Sequence, residues 1–215
     1  MAAQTNYNYS TPKGVPGGKV DISFDEVITR RTEAEDGVLK YGMAVSVGNA
    51  AGIGITVPTS GTTAEKIEGV VVYQPNTEQD MKGNVVVKNG ASLGVMRKGH
   101  IWARTSSDAE PTYGAKAYVV VDGNEAGAFT SSSEAVSVYK KCDSGTSGAK
   151  EVVSDETESP SGTQIKLSAV TPAENGYTPT VGDYVVYEQV HGAAVDIGAT
   201  FGNAYDNGIA VVILK

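Results

Sequence analysis

Short runs of β-branched and aromatic residues, each closed by a glycine or an Asn/Asp-Gly step, dominate the folding problem this chain has to solve. Gly69-Val70-Val71-Val72-Tyr73, Asn84-Val85-Val86-Val87-Lys88 and Tyr118-Val119-Val120-Val121 have the length and composition of half-buried strands and are too short for helices of ordinary size. Between them, Lys88-Asn89-Gly90 and Asp122-Gly123-Asn124 supply residues that tolerate positive φ in tight turns. Further strands are expected near Leu39–Val47, Ile53–Val57, Lys66–Tyr73, Ser92–Met96, His100–Arg104 and Ala115–Val121, at the even spacing of an all-β domain. Gly42, Gly69, Gly94 and Gly99 sit beside strand signals, where a missing side chain permits bulges and bends. No segment holds helical periodicity beyond about three turns. The expected fold is all-β, a barrel or sandwich of short antiparallel strands.

Periodicity fails at the start of the chain. Residues 1–19 mix Asn, Tyr, Thr, Pro and Gly and read as an extended, flexible N-terminal arm. Ser23-Phe24-Asp25-Glu26 fits a helix capping box, whereas Ile28-Thr29-Arg30 has strand character, so a short strand and a single helical turn are both compatible there. Residues 20–130 make the main β domain. From Ser131 the pattern loosens, and 131–194 reads as a β-rich insertion or second lobe with a mobile loop over 141–162, rich in Ser, Thr and Gly with the carboxylates Glu151, Asp155, Glu156 and Glu158. Clean alternation resumes at Gln164-Ile165-Lys166-Leu167 and at Asp183–Glu188. The apolar run Gly208–Leu214, after the turn Asp206-Asn207-Gly208, is expected to return to the main domain as a strand buried on both faces within 195–215.

Charge and chemistry narrow the function. The 215 residues carry a formal charge of -8, which opposes attraction to phosphate backbones, and no basic patch offsets it, so no nucleic-acid partner is expected. No apolar run approaches the roughly 20 residues of a membrane span, and Met1–Ser10 lacks signal-peptide regions. The single Cys142 has no intrachain partner, consistent with synthesis in a reducing cytoplasm. Gly14-Val15-Pro16-Gly17-Gly18-Lys19-Val20 misses phosphate-loop spacing, and Gly52-Ile53-Gly54 lacks the third glycine of a dinucleotide loop. His100 and His191 are the only histidines and stand in no metal-ligand spacing. With no Gly-x-Ser-x-Gly turn, pairing His100 with Asp108 or Glu110 builds no triad. The 151–158 carboxylates do not follow an EF-hand order, and Asn8-Tyr9-Ser10 matters as a sequon only in a secreted chain. No catalytic residue, cofactor or metal is expected.

What remains is surface. Tyr7, Tyr9, Pro12 and Pro16 belong to an arm that can order against a partner and bury its rings there. In His100-Ile101-Trp102-Ala103-Arg104, alternation puts His100, Trp102 and Arg104 on one face. That face is a candidate interface, with a core anchor as the competing reading of Trp102.

Four stretches taken in order resemble the cement, or head decoration, proteins of tailed bacteriophages: Ile28-Thr29-Arg30, Leu39-Lys40-Tyr41-Gly42-Met43-Ala44-Val45, Gly99-His100-Ile101-Trp102-Ala103, and Gly198-Ala199-Thr200-Phe201 through Leu214. Gly69-Val70-Val71-Val72 fills the family's Gly-Val strand. The resemblance covers about residues 20–130 and 195–215. It implies a non-enzymatic virion protein, made in the bacterial host cytoplasm, that binds the outer capsid surface and clamps neighbouring major capsid subunits, itself a dimer or trimer. Tyr7, Tyr9, Pro12, Pro16, Trp102 and Arg104 are then the expected capsid- or partner-binding residues. A phage tail or neck protein and a carbohydrate-binding β-sandwich stacking sugars on Trp102 are the alternative readings.

Overall fold

A computed structural model of the chain describes residues 14–75, 86–107, 109, 111–171, 173 and 177–215. Among them, helical structure is confined to two three-residue 3-10 turns, Ala64–Lys66 and Leu167–Ala169, and the fold is all-β as the sequence predicts. The strands are β1 (Glu26–Thr32), β2 (Ala44–Val47), β3 (Gly54–Thr56), β4 (Ile67–Val71), β5 (Ser92–Arg104), β6 (Lys116–Val120), β7 (Phe129–Thr130), β8 (Val136–Cys142), β9 (Lys150–Val153), β10 (Gln164–Lys166), β11 (Tyr184–His191), β12 (Ala194–Asp206) and β13 (Ile209–Leu214).

Nine strands form one sheet in the order β1-β3-β2-β4-β5-β13-β12-β6-β7, and β1 also pairs with β5. That extra pairing closes β1, β3, β2, β4 and the first half of β5 into a five-stranded ring, which selects a barrel over a sandwich. The second half of β5 pairs with β13 from Gly99↔Leu214 to Arg104↔Ile209. From there β12, β6 and β7 follow, and Phe129 of β7 bridges back to Thr105 just beyond β5. The strands expected separately at Ser92–Met96 and His100–Arg104 are therefore one 13-residue strand serving both rings.

The two cores share a wall. Ala44, Val70 and Met96 belong to the second core, with Ile101, Val119, Phe129, Phe201 and Val212. Their immediate neighbours Val45, Val71 and Val95 belong to the first, with Leu39, Ile55 and Leu93. Consecutive residues on β2, β4 and β5 thus point into opposite cores, so Val70 and Val71 are both fully buried, where the sequence predicts a half-buried strand. Each such side chain contributes about 1.5–3 kcal/mol of transfer free energy, and a run of valines is what a strand packed on both faces requires.

Several expected strands are shorter than predicted. Of Leu39–Val47 only Ala44–Val47 is strand, because Gly42 at φ +78 turns the chain while Leu39 plugs the first core. Of Asn84–Lys88, Asn84 and Val85 lie outside the described residues. Val86, Val87 and Lys88 are not strand: the Gly37 N–H donates to the Val87 carbonyl, and Asn89 ties the segment to Asp36 and Ala34 through side-chain bonds. The region after Ser131 forms a four-stranded sheet in the order β10-β9-β11-β8, packed on a small core of Val152, Ile165, Val170 and Val185. Its strand β9 falls inside 141–162, the stretch expected to be a loop.

Candidate functional site

The chain from Gly17 to Thr32 runs antiparallel to β5 along one edge. Lys19 bridges Ile101, and β1 continues the pairing with Glu26↔Lys98 down to Arg31↔Ser92. The upper part is a strap. The Gly17 N–H donates to the Trp102 carbonyl (2.6 Å), the Trp102 N–H to Gly18 (2.9 Å), the Val20 N–H to His100 (3.1 Å) and the Tyr73 N–H to Gly17 (2.8 Å). Gly17 adopts φ +81, and a Cβ there would stand 2.6 Å from the Tyr73 nitrogen and 2.7 Å from the Val71 carbonyl oxygen, so only glycine fits.

Beyond the strap, Gly14 lies directly on the indole of Trp102, leaving no room for a side chain. Trp102, Arg104 and Pro16 are all half-buried. Arg104 Nε donates to the Tyr41 carbonyl (2.9 Å), and burial holds its pKa below the usual guanidinium value. Trp102, Arg104 and Pro16 therefore gather at the root of the arm. Tyr7, Tyr9 and Pro12, and the sequon at Asn8, lie outside the described residues. Gly14 covers one face of the indole, which takes that face away from the stacking platform of the carbohydrate-binding reading.

Between strap and β1 the pairing breaks. Residues 21–25 face the single residue Gly99, which carries φ +121 and whose Cβ, were there one, would meet the Asp25 Cβ at 2.9 Å. The polar members of this excursion are tied inward. Asp21 accepts from the Ser23 backbone N–H (3.0 Å) and hydroxyl (2.5 Å), and its Oδ2 sits 2.6 Å from His100 Nδ1. Asp25 pairs with Lys19 at 2.5 Å. The Ser23 hydroxyl, then His100, hold the Asp21 carboxyl down at about 2. With Asp21 and Asp25 fixed, the alternate side chains point outward: Ile22 is 105% exposed and Phe24 85%, flanked by Val20 at 37% and Val27 at 39%. Leaving Ile22 and Phe24 in water forgoes about 1.5–3 kcal/mol each.

Sequence reasoning does not single out Ile22 and Phe24; of the short strand and the single helical turn left open at this place, the structure forms the strand, β1, entered through a bend. The signal was the alternation Val20-Asp21-Ile22-Ser23-Phe24-Asp25.

Other features are structural. Glu68, with its side chain 9% exposed, sits between Arg97 (2.6 Å) and Arg30 (3.3 Å), which gives Arg30 a partner across the first ring. His191 is buried with Nδ1 2.7 Å from the Gly192 carbonyl oxygen, into which it donates. An open cleft of about 530 Å³ is lined by charged residues including Glu26, Glu65, Glu68, Arg97, Lys98 and Asp196; His100 and His191 are not among its walls. Among the described residues no three His, Cys, Asp or Glu side chains are grouped to hold a metal.

Comparison with known proteins gives this surface its context. The family model described as "Structural cement protein (E217 gp24/Pam3 gp6)" matches residues 3–214. A solved chain from "The capsid of Myoviridae Phage XM1" shares the fold with a TM-score of 0.56 at 13% identity, over 100% of this chain and 98% of that one. No curated protein sequence matches the chain significantly. The motifs that carry the family resemblance now have physical places: Gly99 faces the excursion, His100 tethers it, Trp102 lies under Gly14, and Ile101 and Phe201 fill the second core. With its model matched over nearly the whole length, this chain belongs to the structural cement protein family of phages and is a capsid-binding structural protein of the virion.

Proposed function

We propose that this protein fastens the outer surface of a phage head, clamping neighbouring major capsid subunits without catalysing any reaction, and that it does so as a dimer or trimer. The observation that carries this reading is the strap. Four backbone hydrogen bonds lock residues 17–20 onto β5 and onto Tyr73, so the arm proposed for residues 1–13 would start from a fixed point on the double ring. A rigid body with a tethered arm can engage two subunits at once, and the second contact is then effectively intramolecular, so modest interfaces add up across a lattice. In this proposal Tyr7, Tyr9 and Pro12 contact the shell, while Pro16, Trp102 and Arg104 hold the root of the arm beside it.

Deleting residues 1–13 tests the reading while sparing the strap. The truncated protein is expected to keep the fluorescence of its sole tryptophan, Trp102, and to lose occupancy on capsid shells that lack the native protein. Equal occupancy by truncated and full-length protein overturns the role of the arm. Copies spread over the whole head mark cement, whereas a few copies at one vertex would mark a neck component.

A further inference from the structure

We infer that the excursion 21–25 is a second capsid-docking element, whose Ile22 and Phe24 enter an uncharged, apolar socket on the major capsid protein; this rests on the capsid-binding reading above. The excursion is built. Gly99 makes room for it across the ladder, and each of its carboxylates is already paired within the chain, Asp21 with His100 and Asp25 with Lys19. Its tip therefore offers two large apolar side chains, and each carboxylate beside them already has a partner within the chain, so an apolar socket suits it better than a charged groove. A partner that removes Ile22 and Phe24 from water recovers the transfer free energy that the isolated molecule forgoes.

Area decides between the shell and a second copy of this chain. Two side chains of this size present roughly 400 Å² per copy, about half of the roughly 800 Å² per partner of a stable free-standing interface. The excursion is too small to hold a dimer in solution, yet sufficient as the second point of a two-point attachment. Its position fits that role. The arm leaves where Gly14 covers Trp102, and the excursion stands opposite Gly99 on the same edge of β5. Three residues of strand place the two about 10 Å apart. Arm and excursion can then seat together on one region of the shell, each raising the effective concentration of the other.

The test uses full-length protein and capsid shells stripped of it, comparing wild type, Ile22→Ser/Phe24→Ser and the conservative Ile22→Val/Phe24→Leu. Both positions are exposed, so all three are expected to show the same Trp102 emission and thermal midpoint. The serine variant should bind shells at least tenfold more weakly, with the conservative variant close to wild type. Wild-type and serine proteins binding equally well would overturn the docking role while leaving the capsid-binding reading intact. Wild type failing to bind shells would overturn the capsid-binding reading itself. A wild-type oligomer that the serine substitutions convert to monomer would assign the apolar tip to a second copy and overturn the inference.

Discussion

Gly17→Ala is expected to release the strap and arm root from β5 while leaving both rings folded. Alanine at φ +81 costs about 1–2 kcal/mol through the clash of Cβ with the backbone. The added carbon would also press on the Tyr73 nitrogen and the Val71 carbonyl oxygen, at 2.6 and 2.7 Å, and neither backbone atom can rotate away. Relief requires the strap to lift, which breaks the Gly17–Trp102, Trp102–Gly18 and Tyr73–Gly17 bonds at a net cost of about 0.5–1.5 kcal/mol each. The strain is thus relieved only by giving up about 1.5–4.5 kcal/mol in these three bonds, most of the hydrogen bonding that holds the strap. The two cores contain no residue from 14–20, so the loss stays local. Trp102 is the only tryptophan and lies under Gly14, so lifting the root wets the indole and shifts its emission to the red. Amide exchange at Trp102 and Tyr73 should speed up, while that at Val119 and Val212 stays slow. An alanine protein with wild-type emission and unchanged Trp102 and Tyr73 protection would refute the account of the strap.

Two further predictions concern charge and modularity. The Asp21 carboxyl titrates at about 2, below its ordinary 3.8, so the tether it gives the excursion is complete above about pH 4 and lost as pH falls through 2. Carboxyl-carbon NMR should place the midpoint there and find it moved up in Ser23→Ala, more than in His100→Ala; a normal Asp21 midpoint in wild type would refute the tether. In the small sheet, the ladder of β8 and β11 opens at Val136 and returns at His191 directly opposite. Replacing 137–190 by a short glycine-containing turn should therefore yield a folded double ring with unchanged Trp102 emission. Loss of cooperative unfolding in that variant would make residues 131–194 integral to the main domain.

The sequence made the fold class and most strand positions readable, because turn residues and β-branched runs act locally. The strand expected over Leu39–Val47 forms only over Ala44–Val47, and the loop expected over 141–162 contains β9, because a pairing partner decides whether an apolar stretch becomes a ladder. β9 gains strand structure by lying between β10 and β11, whose partner residues, Gln164 and Tyr184 for Glu151, stand further along the chain than a local pattern reaches. The double ring was less legible for a related reason. Val70-Val71 reads the same whether one face or both are covered, and only the return of β1 to β5 closes the first core over Val71.

The same limit explains the candidate site. Trp102 and Arg104 draw attention as residue types, and the structure bonds Trp102 to the strap and Arg104 to the Tyr41 carbonyl. Ile22 and Phe24 continue the alternation of a strand, and in an uninterrupted ladder with β5 they would be ordinary paired residues. What turns them into a projecting apolar tip is the count across the ladder, five residues opposite Gly99, together with the pairing of Asp21 to His100 across 79 positions of sequence. A local pattern records which side chains share a face. Whether that face meets a neighbour in the same chain or is left for a partner is set by the register of strands distant in sequence. For a protein whose work is adhesion, the residues that grip are thus the ones whose role local sequence describes least well.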